Sequence, residues 1–291
     1  MHTLRKNKLG IVILVGPAVA LFTIFVIRAV ILTGYYSLTV WNAITEPRFV
    51  GLRNYIDLIG DSDFHTVLRN NILGMIIALI LQITIPLIIA YLIFRTTKGM
   101  RLYRSISFLP VVMAPAAISI LFVLLLNADI GPVNRALNDM GLGFFARNWL
   151  SDPDIVFYSV LSPMIYQFFG MYVLIFLAGM QSIESEIIES ASIDGASSFQ
   201  LFRRIVVPTQ VHIILMCAVL IISGGFKAFE HAWIMTWGGP GVRSAFLGVY
   251  MYIMSFQRSR FGIGSATAMV ILVLSVFFTV IFQRMIKRFE Y

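Results

Sequence analysis

Residues 72–94 read ILGMIIALILQITIPLIIAYLIF, and this stretch decides the fold class. Its 23 residues carry no charge. A helix needs roughly 20 mainly apolar residues to cross the hydrocarbon layer of a membrane. In that layer an isolated segment must satisfy its own backbone polar groups, which a helix does. Comparable runs follow on either side, and together they predict six spans: about Ile11–Leu32, Ile72–Phe94, Ile106–Leu126, Ile155–Met180, Val211–Met235 and Ser265–Phe282. The first is too long for a signal-peptide core and has no small-residue cleavage site after it. A shorter apolar run, Ala245–Phe256, is too short to span and predicts an interfacial or re-entrant helix. The whole chain agrees with this pattern. It is 59% hydrophobic and 12% charged, against about 25% charged in a soluble domain, and its mean hydropathy is +0.88. The expected architecture is all-α and polytopic, one transmembrane domain over residues 1–291.

Basic residues set the expected orientation. Arg5, Lys6 and Lys8 precede the first span; Arg95, Lys98, Arg101 and Arg104 fill the second loop; Arg203 and Arg204 lie in the fourth; Arg284, Lys287 and Arg288 follow the last span. The odd loops mix signs, with Asp57, Asp61 and Asp63 in the first and Asp129, Asp139, Asp152 and Asp154 in the third. Loops rich in Lys and Arg stay cytoplasmic, so both termini and the second and fourth loops are expected inside. Retention of basic residues on that side also accounts for the net charge of +8 without a nucleic-acid partner. Cys217, the single cysteine, lies in an apolar run and can form no intrachain disulfide.

The fourth loop is unusually regular. Residues 189–208 read ESASIDGASSFQLFRRIVVP. The segment Glu184–Ser192 suits a polar helix, and Asp194-Gly195 is a turn signal, because glycine accepts the left-handed geometry that ends a helix. Ser197 with Gln200 three residues later forms a capping box that starts a second helix. Phe199, Phe202 and Ile205 then share one face, expected against the membrane surface, and Pro208 closes the unit. Helix, tight turn and helix present a convex knob suited to a groove on a soluble partner. The other reading is a plain loop that caps two spans.

The same residues resemble the EAA loop of ATP-binding-cassette (ABC) importer permeases. That pattern is Glu-Ala-Ala, three residues, Gly, then Ile and Pro; here it reads Glu189-Ser190-Ala191, Gly195, Ile205 and Pro208. Further stretches resemble the carbohydrate-uptake branch, which includes maltose and glycerol-phosphate permeases: Phe49-Val50-Gly51-Leu52-Arg53-Asn54-Tyr55, Asn148-Trp149-Leu150-Ser151-Asp152-Pro153, Leu177-Ala178-Gly179-Met180-Gln181-Ser182-Ile183 and Trp237-Gly238-Gly239-Pro240. Glu184 stands where the family usually has Pro. The resemblance implies a multi-pass subunit of a bacterial or archaeal cell membrane. It implies a second permease subunit as heterodimer partner, two ATP-binding subunits that hold ATP and Mg, an extracytoplasmic solute-binding protein and a sugar substrate. Glu189, Ser190, Ala191, Asp194, Gly195, Ala196 and Phe199 are then the ATPase-docking residues. The 127–154 loop and the 245–256 helix become the outer surface that the binding protein touches.

The chain itself is expected to be non-catalytic and to hold no cofactor or metal. It lacks a GxxxxGK[ST] phosphate loop, and His2, His65, His212 and His231 have no metal-ligand spacing. Candidates for the solute pathway are Tyr166, Gln167, Phe168 and Tyr172 in the fourth span, with Phe169, and Ser223, Phe226, Lys227 and Glu230 in the fifth, with Phe229 and His231. Ionisable groups in a span are costly and either face a cavity or pair. Lys227 and Glu230, at i and i+3, can pair on a helix; contact with solute is the second reading, and it would favour an acidic sugar or a sugar phosphate. Competing functions are an importer permease for a polyol, sugar phosphate, acidic saccharide or amino acid, and a stand-alone secondary transporter. The latter should show mid-span carboxylates or an internal repeat, and this sequence has neither.

Overall fold

The computed structural model describes residues 8–96 and 100–288. Arg5, Lys6 and Lys98, three of the orientation-setting residues, lie outside them. The chain forms two compact units.

The first unit comprises residues 1–61 and 251–270. Helix α1 (Lys8–Phe22) continues through a π-helical turn at Thr23–Ile27 into α2 (Arg28–Ser37). Its apolar side chains stay uncovered: Ile13, Leu14, Phe25 and Ile31 are all more than half exposed. In water such a face would be a liability, whereas in lipid it is the expected surface. A short antiparallel hairpin follows, β1 (Thr39–Val40) and β2 (Arg48–Phe49), and then α3 (Arg53–Gly60). The 49–55 motif explains the join. Gly51 takes φ +61, and the buried Asn54 amide donates to the carbonyls of Ser37 and Thr39, each at 2.8 Å.

The second unit comprises residues 62–250 and 271–291. Helix α4 (Ser62–Phe94) starts ten residues before the apolar run, because Asn70 and Asn71 face protein and are satisfied there. The Asn70 amide donates to Arg243 O and Ala245 O, while Asn71 accepts from Leu247 N at 2.7 Å. The expected third span is not one helix. Helices α5 (Met100–Val112) and α6 (Pro115–Leu125) meet at 102°. Pro115 lacks the N–H the ladder needs and forces Ala114 into extended geometry (φ −60°, ψ 136°), so the helix must restart. Pro86 and Pro110, by contrast, stay inside α4 and α5.

The third loop is ordered by one side chain. It carries α7 (Pro132–Asp139), whose Asn134 donates to the carbonyls of Ala128 and Arg147 and accepts from Trp149 Nε1 at 2.7 Å. The Trp149 of the Asn148–Pro153 motif is thereby architectural. Helix α8 (Val156–Gln181) packs along α4 and α5, then α9 (Ser185–Ile193) and α10 (Ser198–Leu201) form the fourth loop. A π turn at Phe202–Val206 leads to α11 (Val207–Thr209), and this arm bends by 66° into α12 (Val211–Gly225).

The expected fifth span also breaks. Helix α12 stops at Gly225, residues 226–229 are irregular, and α13 (Glu230–Thr236) follows. The Ser223-Gly224-Gly225 triplet is the local cause, since Gly is the weakest helix former after Pro. Trp237, Gly238 and Gly241 then take positive φ and reverse the chain. The short apolar run becomes α14 (Leu247–Tyr252), and its first half is buried in protein rather than lying at an interface: Ala245, Phe246, Leu247 and Val249 are at most 2% exposed. Helix α15 (Phe261–Arg288) ends the described chain. Among the described residues, four helices are long and apolar enough to cross a membrane, and up to six crossings result if each bent pair counts as one.

Candidate functional site

Two features of the second unit stand apart from simple packing, and one helix bundle carries both. The first is the turn between α9 and α10. Ala196 N donates to Ala191 O (3.0 Å) and Gly195 N to Ser192 O (3.1 Å), the two bonds of a Schellman closure. Gly195 sits at φ +78 with open space around its Cα, so backbone geometry alone calls for glycine. The expected capping box is present: Gln200 N donates to Ser197 Oγ at 3.3 Å and Ser197 N to Gln200 Oε1 at 2.7 Å.

Glu189, Ser190, Asp194, Gly195 and Phe199 are exposed on this knob, and Ala191 and Ala196 are half-buried. Phe199 does not share a buried face with Phe202 and Ile205. It is 68% exposed, while Phe202 stacks obliquely on Tyr91 with centroids 4.9 Å apart. Leu201 and Val206 instead enter the core, among Tyr91, Tyr172, Phe176 and Met180. Ile193, which sequence reasoning passed over, is 86% exposed at the turn. Its position just before Asp194-Gly195, on a helix with no lipid-length apolar run, was the available signal. The Tyr91 hydroxyl fastens the knob to α4 by donating to Ser198 O at 2.7 Å.

The second feature is a cavity of about 410 Å³ among α4, α8, α12 and the 226–231 break. Gln167, Phe168, Tyr172, Lys227 and Glu230 of the expected pathway residues line it. Three others do not. Tyr166 rests on Phe122 with centroids 5.6 Å apart, Phe226 is buried against Phe278, and Ser223 is half-buried off the lining. The expected Lys227–Glu230 pairing is absent. The helix has ended by Gly225, so the i, i+3 register does not exist, and no ion pair joins the two residues.

Of the polar groups that converge, Gln167 and His231 were named from the sequence, whereas Ser119, Gln82 and Asn71 were not. His231 Nε2 lies 2.9 Å from Gln167 Oε1, and His231 Nδ1 lies 2.8 Å from Ser119 Oγ. Gln167 Nε2 donates to Met113 O at 3.1 Å, a carbonyl exposed by the α5–α6 break. With the Gln167 amide donating there, its oxygen accepts from His231 Nε2–H, and Nδ1 accepts from Ser119. The Ser119 hydroxyl also lies 2.7 Å from Pro115 O and shares its proton between the two acceptors. Gln82 Nε2 donates to Ile165 O at 3.1 Å, and Asn71 Nδ2 donates to Gly225 O at 3.1 Å. The cavity is thus a mainly apolar space with amides and one imidazole at its wall, a form that suits an organic solute. Among the described residues no group of three His, Cys, Asp or Glu gathers to hold a metal.

Residues 82–291 match the family described as the binding-protein-dependent transport system inner membrane component. The chain belongs to this family. A probable ABC transporter permease of Pyrococcus horikoshii is 34% identical over 267 residues, covering 91% of each chain. The multiple sugar-binding transport system permease protein of Streptococcus mutans is 28% identical over 257 residues, covering 88% of each. A chain of a bacterial ABC transporter involved in import of the acidic polysaccharide alginate superposes with a TM-score of 0.84 at 22% identity, over 99% of this chain and 98% of that one. The fold, with its two broken spans, is therefore that of an ABC transporter permease, and this permease is an integral membrane protein.

Proposed function

We propose that this permease subunit forms half of the pathway for a sugar or oligosaccharide in a binding-protein-dependent importer, and couples passage to ATP hydrolysis by a partner. The observation that carries the reading is mechanical continuity. The exposed 189–199 knob is built into the same core of α4 and α8 that lines the cavity, through Tyr91, Leu201 and Val206. A displacement of the knob would reach the cavity wall as a rigid-body movement. In this reading the termini and the knob are cytoplasmic. The full assembly holds a second permease, two ATPase subunits carrying ATP and Mg, and an extracytoplasmic solute-binding protein, and this chain performs no catalysis. In this reading residues 1–291 form one transmembrane domain. The sugar-transport role of the Streptococcus mutans relative, with an amide-rimmed cavity, supports the substrate class.

The test is purification of the tagged chain from its membrane in gentle detergent, with mass spectrometry of what accompanies it. An ATP-binding subunit and a second permease should co-purify, and Gly195→Val should release the ATP-binding subunit selectively. A chain that purifies alone and transports solute would overturn the proposal.

A further inference from the structure

A second cavity, of about 540 Å³, lies wholly within the first unit, between the hairpin, the first turn of α3 and the start of α15. Arg48, Arg53 and Arg260 line it, together with one carboxylate, Asp57. All four residues are exposed, and none forms an ion pair among the described residues. Three guanidiniums around one space make an anion site of the planar, multi-donor kind that phosphate and carboxylate prefer. The first turn of α15 adds to it. The amide of Phe261 is taken by Trp41 O and that of Gly264 by Arg260 O, while Gly262 and Ile263, first-turn residues whose N–H groups have no partner within the helix, also line the cavity. Ser259 on the lining and Ala43 in the hairpin loop hold positive φ (51° and 66°). Strain of that kind persists at sites the surrounding structure holds in place.

The position of the cavity identifies the source of the anion. Helix α2 ends at Ser37 and α15 begins at Phe261, so the cavity lies where two membrane-crossing helices leave the hydrocarbon. Tyr35, Tyr36 and Trp41 cluster at that level, as aromatic side chains do at the lipid headgroups. Trp41 stacks on Tyr36 at 4.3 Å and leans on Phe261, so it is no free platform for a sugar ring. We propose that this cavity binds a phospholipid headgroup of the ethanolamine type, with its phosphate among Arg48, Arg53 and Arg260 and its ammonium toward Asp57. The site is independent of the transported solute.

The assembled complex, placed in bilayers of a phosphate-free glycolipid doped with phosphatidylethanolamine or phosphatidylglycerol, is re-extracted, and retained lipid is measured by native mass spectrometry. The wild-type chain should retain phosphatidylethanolamine. Arg48→Gln and Arg260→Gln should each lower retention roughly fivefold, the effect of one basic residue near a lipid surface. Their exposure leaves the fold intact, which an unchanged thermal unfolding curve verifies. Asp57→Asn should abolish the preference for phosphatidylethanolamine over phosphatidylglycerol. Equal retention by all variants overturns the proposal. Displacement of the lipid by equimolar inorganic phosphate or phosphoethanolamine also overturns it and assigns the cavity to a soluble anion. So does loss of solute-binding-protein stimulation with lipid retention unchanged, which would assign the arginines to a protein contact.

Discussion

Gly195 and Gly170 are both glycines of necessity, for opposite reasons. At Gly195 the space is open and the backbone is the constraint, with φ +78. A branched residue there meets left-handed strain of about 1–2 kcal/mol, whereas Asn tolerates that region. Gly195→Asn should therefore keep the ATP-binding subunit in pull-downs where Gly195→Val loses it. At Gly170 the backbone is ordinary and space is the constraint, because a Cβ would collide with the backbone of Ser107. Gly170→Ala should destabilise the α5–α8 contact by about 1–3 kcal/mol, the usual range for overpacking, read as a lowered unfolding temperature in detergent. Lys227 belongs to the same scale. It lines the cavity of about 410 Å³ unpaired with Glu230. Lys227→Met should leave ATP hydrolysis coupled and slow transport of an anionic saccharide while sparing a neutral one; an equal effect on both would remove Lys227 from solute contact.

Among elements, the two broken spans govern each other. The restart of the chain at Pro115 leaves the Met113 carbonyl without a helical donor, and Gln167 of α8 supplies one. Gln167 is in turn bonded to His231 on α13, whose far nitrogen meets Ser119 on α6. One relay thus joins α5, α6, α8 and α13 at the cavity wall. His231→Phe should leave the buried Gln167 oxygen unsatisfied, while Ser119 keeps its bond to Pro115 O, and should cost about 1–3 kcal/mol, measured by thermal unfolding. Ser119→Ala removes one end and should cost less. Tyr91→Phe acts on the 189–199 knob. Loss of the 2.7 Å bond to Ser198 O should cost about 0.5–1.5 kcal/mol. It should also weaken the coupling of solute-stimulated ATP hydrolysis more than it weakens binding of the ATPase.

At the scale of the molecule, the four long spans and the helix–turn–helix knob at 189–199 were legible because each is a local decision. Apolar run length, the Asp194-Gly195 stop and the Ser197–Gln200 box act within a few turns of chain, and the structure carries all of them. The breaks were only half legible. Pro115 can break a helix, but proline alone does not distinguish it from Pro86 and Pro110, which are tolerated inside helices. What differs is a partner for the freed carbonyl, and Gln167 is 54 residues away from Met113 in sequence.

The sequence by itself therefore determined a membrane-spanning, all-helical chain, the knob and its caps, and the family motifs, because hydrophobicity and capping operate between near neighbours. Tertiary structure alone decided which polar residues face one another across the cavity, and that the short run at 245–250 is covered by protein. It also decided that Arg260 shares one cavity with Arg48 and Arg53. Those outcomes depend on contacts between residues tens to more than a hundred positions apart, which no local pattern encodes.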